Sequence, residues 1–118
     1  VVPVEVKMAG MVHLDTCMTL IGPQRGIICL EAVRHPLPPP LDSYDFVEVD
    51  VATCRQAGVN VLVLDPRTIV AQTRHRKLRK ALEQRGYRVI PLDFGWHALS
   101  VGGFRCATHP LRRKLPRE

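Results

Sequence analysis

This sequence predicts an α/β fold assembled from ββαβ units, on three observations. Its most apolar stretch, V-N-V-L-V-L-D over Val59–Asp65, meets a tight turn at Pro66-Arg67 and a returning strand over Thr68–Gln72. A helical stripe then runs from Arg74 to Arg85, where Leu78, Ala81 and Leu82 recur at spacings of three and four. Beyond an expected stop at Gly86, Tyr87–Leu92 reads as a further strand. A looser version of this order lies between Val12 and Val49, so the layout repeats in order rather than in residues.

Taken along the chain, Val1–Val6 alternates weakly and predicts a strand. Val12–Ile21 predicts a second, in which alternation would turn His13, Asp15 and Cys17 to one face. Gly22 to Gly26 is a turn punctuated by glycine and proline, and Gly26–Ala32 returns as an apolar strand to close a hairpin. Arg34–Asp42 holds four prolines, which forbid helix and ladder alike and make a stiff surface connection. Phe46–Val49 is a short strand, and Asp50–Ala57 a helical turn capped by Asp50 and broken by Gly58. Val59–Asp65 reads as a strand buried on both faces. Gly95–Leu99 predicts a short helical turn and Phe104–Leu111 the last strand.

At 118 residues the chain has one domain's worth of material and can bury a core. No apolar run approaches the about 20 residues of a spanning helix, and no secretory pattern opens the chain. Its first residue is Val, and V-V-P-V-E-V reads as a strand entered partway, which predicts a piece of a longer chain. The net charge of +6 is concentrated in Thr73–Lys80 and Leu111–Glu118, blocks that read as solvated faces or tails. Aromatic residues that could stack on bases are few and none stands among these arginines, which argues against nucleic acid. Cysteines 17, 29, 54 and 106 form no C-x-x-C pair, which argues against a zinc ribbon or a thioredoxin-type motif. Reduced thiols in a cytoplasmic protein, without metal or cofactor, are the simplest account.

The stretch V-G-G-F-R-C-A-T over Val101–Thr108 draws attention because glycines let a ligand approach main chain, and Cys106 would be delivered there. His13 and Asp15 are candidate partners for that thiol. Residue type alone leaves rivals open: a core cysteine, a structural histidine, an aspartate that caps a turn. Cys17 competes for the thiol role but has no glycine approach, and Arg105 by alternation faces away from Cys106. Asn60 reads as orienting the site rather than reacting.

H-L-D-T at His13–Thr16, N-V-L-V-L-D at Asn60–Asp65 and G-G-F-R-C-A-T at Gly102–Thr108 together resemble the guanidino-group-modifying enzymes. These are the arginine deiminases, dimethylarginine dimethylaminohydrolases and amidinotransferases. The resemblance implies a pentein fold, five ββαβ modules around an active site, of which this chain would hold about two as the C-terminal part of the catalytic domain. It implies Cys106 as nucleophile, His13 as acid and base, Asp15 as the group holding the guanidinium, and Arg34 as a grip on a substrate carboxylate. A third glycine common in the family is Val101 here, and the family's upstream acidic residues have no counterpart in this chain.

A guanidinium is planar and resonance-stabilised, so attack on its carbon needs a strong nucleophile and a carboxylate clamp that fixes the plane. Thiolate is that nucleophile near neutral pH, and histidine can serve as acid first and base second. The expected activity is therefore hydrolysis of arginine or a substituted arginine, through an S-amidino-cysteine intermediate, to a citrulline-type product. The alternatives are transfer of the amidino group to an amine, and a non-catalytic or basic nucleic-acid-binding fragment. A small arginine-like guanidino compound is the expected partner, no membrane is expected, and homo-oligomerisation is left open.

Overall fold

A computed structural model of the chain describes residues 1–11, 13–95 and 102–114. Two three-stranded sheets share one topology. In the first, β1 (Met18–Gly22) pairs antiparallel with β2 (Arg25–Ile28), and β2 pairs parallel with β3 (Asp45–Glu48). In the second, β4 (Leu62–Asp65) pairs antiparallel with β5 (Thr68–Gln72), and β5 parallel with β6 (Arg88–Leu92). Each unit is a hairpin followed by a crossover, the predicted repeat of order. A parallel pair needs about a dozen residues or more to cross over. The second unit uses α2 (Arg76–Gln84), whereas the first uses the proline-rich connection and two short 3-10 turns at Leu30–Ala32 and Leu41–Ser43.

The local chemistry explains most boundaries. α1 (Val51–Arg55) starts where Asp50 accepts a hydrogen bond from the Thr53 amide at 2.7 Å, the expected cap. α2 buries Leu78 and Leu82 and packs on β6 and β3. Alternation along β2 sends Ile27 and Ile28 to opposite sides, so the first sheet is covered on both faces. Ile27 joins Ile21, Val47, Val61, Ile69 and Leu82 in the core shared by the two units. Ile28 joins a second core with Cys17, Cys29, Val33, Leu41 and Cys54, flanked by Val4 and Val6.

Several expectations are corrected. Val1–Val6 makes only an isolated bridge, Val6 to Val33, because its neighbour turns into a 3-10 segment instead of extending the ladder. The segment before Met18 is a 3-10 turn, Leu14–Thr16, rather than strand. In the most apolar stretch, Val59, Asn60 and Val61 are buried but lie outside the ladder, and β4 itself carries the exposed Leu64. Phe104–Leu111 is a turn and irregular chain, its amides engaged elsewhere. The helical turn expected at Gly95–Leu99 falls largely outside the described residues.

His75 precedes α2, buried, with its Nε2 3.3 Å from the Gln56 carbonyl oxygen. Burial lowers its pKa, against the pull of that hydrogen bond. The folded state therefore takes up the proton less readily than the unfolded chain, and stability falls as pH drops below 6.5. Thermal melts across that range should show a shallower acid loss for His75→Gln than for the parent, and identical slopes would contradict the assignment.

Candidate active site

Cys106 is exposed, in a turn over Phe104–Ala107. Two glycines make the turn possible. Gly102 has φ +106°, and a Cβ there would stand 2.9 Å from the Cys106 sulfur. A Cβ on Gly103 would meet the Asn60 carbonyl oxygen at 2.7 Å. Phe104 anchors the turn, buried and stacked on Phe94 with ring centroids 4.7 Å apart.

The opposite wall is the turn that carries His13 and Asp15. Its four successive carbonyls all accept hydrogen bonds. His13 O accepts from the amide and hydroxyl of Thr16. Leu14 O accepts from the amide and thiol of Cys17. Asp15 O accepts from the Thr19 hydroxyl at 3.3 Å and the Asn60 amide at 3.0 Å, and Thr16 O from the Cys54 thiol at 3.3 Å. Backbone so saturated holds its shape, which places the Asp15 side chain.

Asn60 joins the walls. Only 1% exposed, it donates from Nδ2 to Asp15 O and accepts at Oδ1 from the Gly103 and Cys106 amides at 3.1 and 3.0 Å. Its own carbonyl accepts from the Phe104 amide at 3.1 Å. The outcome is that Cys106 Sγ lies 4.0 Å from Asp15 Oδ1, while Arg105 Nε lies 3.5 Å from Asp15 Oδ2. Arg105 thus does not face away from the thiol's partner, because the segment is a turn and strand alternation does not apply. Asn60 was legible as an orienting residue, but its reach to both walls was not. The signal was an amide inside an apolar run, which needs buried partners.

His13, at the head of the 3-10 turn, is exposed, and its ring makes no hydrogen bond among the described residues. It shares the short turn with Asp15, though not the strand face expected. Cys17 points into the core. Burial raises its pKa and pushes that of Cys54 up to about 12, with Cys29 beside each, so both stay neutral thiols. Arg34 is forked onto Glu5 at 2.6 and 3.0 Å and contacts neither Asp15 nor Cys106. A cleft of about 490 Å³ lined by Asp50, Thr53, Gln56, Arg74 and His75 contains none of these site residues. Among the described residues no three His, Cys, Asp or Glu side chains converge as metal ligands would.

One thiol of four should react promptly with a water-soluble disulfide reagent in the native protein, and Cys106→Ser should remove that fast phase. Rapid reaction of a second thiol would contradict the burial of Cys17, Cys29 and Cys54. Asn60→Ala leaves buried partners unsatisfied and should cost about 1–3 kcal/mol in denaturant melts. It should also change the alkylation rate of Cys106, which an effect confined to the core would leave alone.

No protein-family model matches the chain. It is 32% identical to the uncharacterized protein YkgA of Bacillus subtilis (strain 168), over 96% of this chain and 40% of that protein. It is 30% identical to the putative inosamine-phosphate amidinotransferase 2 of Streptomyces griseus, over 86% of this chain and 32% of that one. The L-arginine:L-lysine amidinotransferase of Pseudomonas savastanoi pv. phaseolicola is also 30% identical, over 86% of this chain and 31% of its own length. Among solved structures, SxtG, an amidinotransferase from Microseira wollei, superposes with a TM-score of 0.84 at 26% identity, covering 98% of this chain and 35% of SxtG. The N-terminal domain of ArgZ, a cyanobacterial arginine dihydrolase, superposes at 0.72 and 16% identity, over 87% of this chain and 39% of that domain, a likeness of fold alone. The chain thus spans well under half the length of the relatives it matches. By sequence and fold together it is similar to the pentein amidinotransferases, and its two sheets form a fragment of the pentein fold.

Proposed function

We propose that this chain supplies the reacting thiol, the proton-transferring histidine and one carboxylate of an enzyme that breaks a C–N bond of a guanidino group, the further substrate contacts coming from sequence outside it. The observation that carries this reading is the 4.0 Å approach of an exposed thiol to a carboxylate, both held by one buried amide. Asp15 clamps the guanidinium plane through paired charge-assisted hydrogen bonds. Cys106 Sγ, as thiolate, attacks the central carbon and forms an S–C bond. Collapse of the tetrahedral adduct breaks the C–N bond, and the leaving amine takes a proton from His13. An S-linked amidino group remains. His13, now neutral, accepts the proton of the second reactant as that reactant attacks the amidino carbon and releases the sulfur.

The second reactant decides the activity. Relatives about 30% identical whose names specify amidinotransferases support an amine, and hence transfer. Hydrolysis by water, to a citrulline-type product, is the second reading, favoured by the run R-C-A-T-H-P-L at Arg105–Leu111 and by the fold shared with an arginine dihydrolase. A basic binding fragment explains neither the saturated turn nor the convergence on Asp15.

Full-length protein containing this chain should form ornithine from L-arginine in proportion to added primary amine. If water is the acceptor, citrulline and ammonia should appear without any amine. Under either reading Cys106→Ser should reduce turnover by a factor on the order of 10³ or more and abolish a trapped amidino adduct. Full activity in Cys106→Ser, or an adduct on Cys17, would sink the reading.

A further inference from the structure

Asp15 already holds a guanidinium, and it comes from the residue next to the thiol. The contact is loose, like the Arg79–Glu83 pair at 3.9 Å, and differs from the two forked arginine–carboxylate pairs among the described residues. Arg34 forks onto Glu5 at 2.6 and 3.0 Å, and Arg85 onto Asp45 at 3.2 and 3.3 Å. Arg105 is paired with Asp15 at 3.5 Å, Nε to Oδ2, and makes no hydrogen bond to it. Its side chain is 54% exposed against 28% for Asp15, so it reaches the carboxylate from the solvent side.

We propose that Arg105 is a displaceable internal guanidinium, holding Asp15 in the free enzyme and yielding it to the substrate. The inference rests on the functional reading above and identifies a residue that sets apparent affinity for guanidino compounds. A substrate fork needs both carboxylate oxygens for a planar, paired grip. Here Oδ2 faces Arg105 and Oδ1 faces the sulfur, so both guanidinium groups cannot be gripped in that manner at once. The backbone on either side is pinned: the Cys106 amide donates to Asn60, and the Arg105 carbonyl accepts from the amide and hydroxyl of Thr108. Arg105 can therefore swing into solvent while the thiol stays in place. An ion pair this exposed contributes little, so the competition is worth about a two- to fivefold change in affinity.

The test uses the full-length protein. In a Cys106→Ser background, where substrate is not consumed, calorimetric titration with L-arginine should show about two- to fivefold tighter binding when Arg105→Gln is added. With Cys106 intact, Arg105→Gln should lower KM by a similar factor, leaving kcat and the pH profile of kcat unchanged. Unchanged or weaker arginine binding in Arg105→Gln would overturn the proposal. So would a fall in kcat with an alkaline shift of the profile, since Arg105 would then be supporting the thiolate. If Cys106→Ser protein binds no arginine and the parent forms no adduct, the functional reading itself fails, and this inference with it.

Discussion

A single buried amide carries the constraint on which the site depends. Asn60 stands 45 residues from Asp15 and 46 from Cys106 along the chain, yet hydrogen-bonds to the backbone of both. An amide enclosed without partners would cost several kcal/mol on transfer scales, about 2–7. Here both ends of the side chain are satisfied, by donors and acceptors that no regular strand could have offered. This explains why the ladder of β4 begins only at Leu62: the three residues before it are buried, with Asn60 among them spent on holding two loops. The thiol gains a fixed backbone together with an exposed side chain, which a cysteine inside a strand core would lack.

The two hydrophobic cores support this arrangement from behind. The core shared by the two units seats Val59 and Val61 and so fixes Asn60 between them. The second core contains Cys17 and Cys54, whose thiols donate to carbonyls of the turn that carries Asp15. Those cysteines contribute as small apolar residues with a weak donor, and burial keeps them protonated. Four residues of one type therefore divide by environment: three pack, and the one beside the glycines is open to a reactant.

Much of this frame was legible from local chemistry. The hairpin at Pro66-Arg67, the Asp50 cap and the stripe of Leu78 and Leu82 each depend on neighbours in sequence, and each stands in the structure. The failures share a different cause. M-V-H-L-D-T-C alternates like a strand, but Thr16 folds back onto the His13 carbonyl, the local competition that short hydroxyl side chains offer. F-R-C-A-T reads as a strand because it is short and partly apolar. Its amides go to Asn60, a partner too distant for any window of sequence to reveal. Arg105 was misplaced for the same reason, since alternation has no meaning in a turn. Residue type raised the pairing of His13 and Asp15 with Cys106 and motif resemblance favoured it, and the structure supplies the contacts by which Asp15 and Cys106 meet.

Under the proposed function, the same geometry bears on what binding of a guanidino compound would change. Arg105 places a positive charge on Asp15 before any ligand arrives, and a bound guanidino compound would place an equivalent one. Exchange of one guanidinium for the other leaves the net charge beside Cys106 unaltered. What differs is position. Arg105 is tethered one residue from the sulfur, on backbone that Asn60 and Thr108 hold, and it meets the carboxylate without a hydrogen bond. A free guanidinium has no tether and can lie flat against both oxygens, the orientation that attack on its carbon requires. On this argument the discrimination between self and substrate lies in the length of the tether rather than in electrostatics. It is set by the rigidity of the Gly102–Cys106 turn and therefore, in the end, by Asn60.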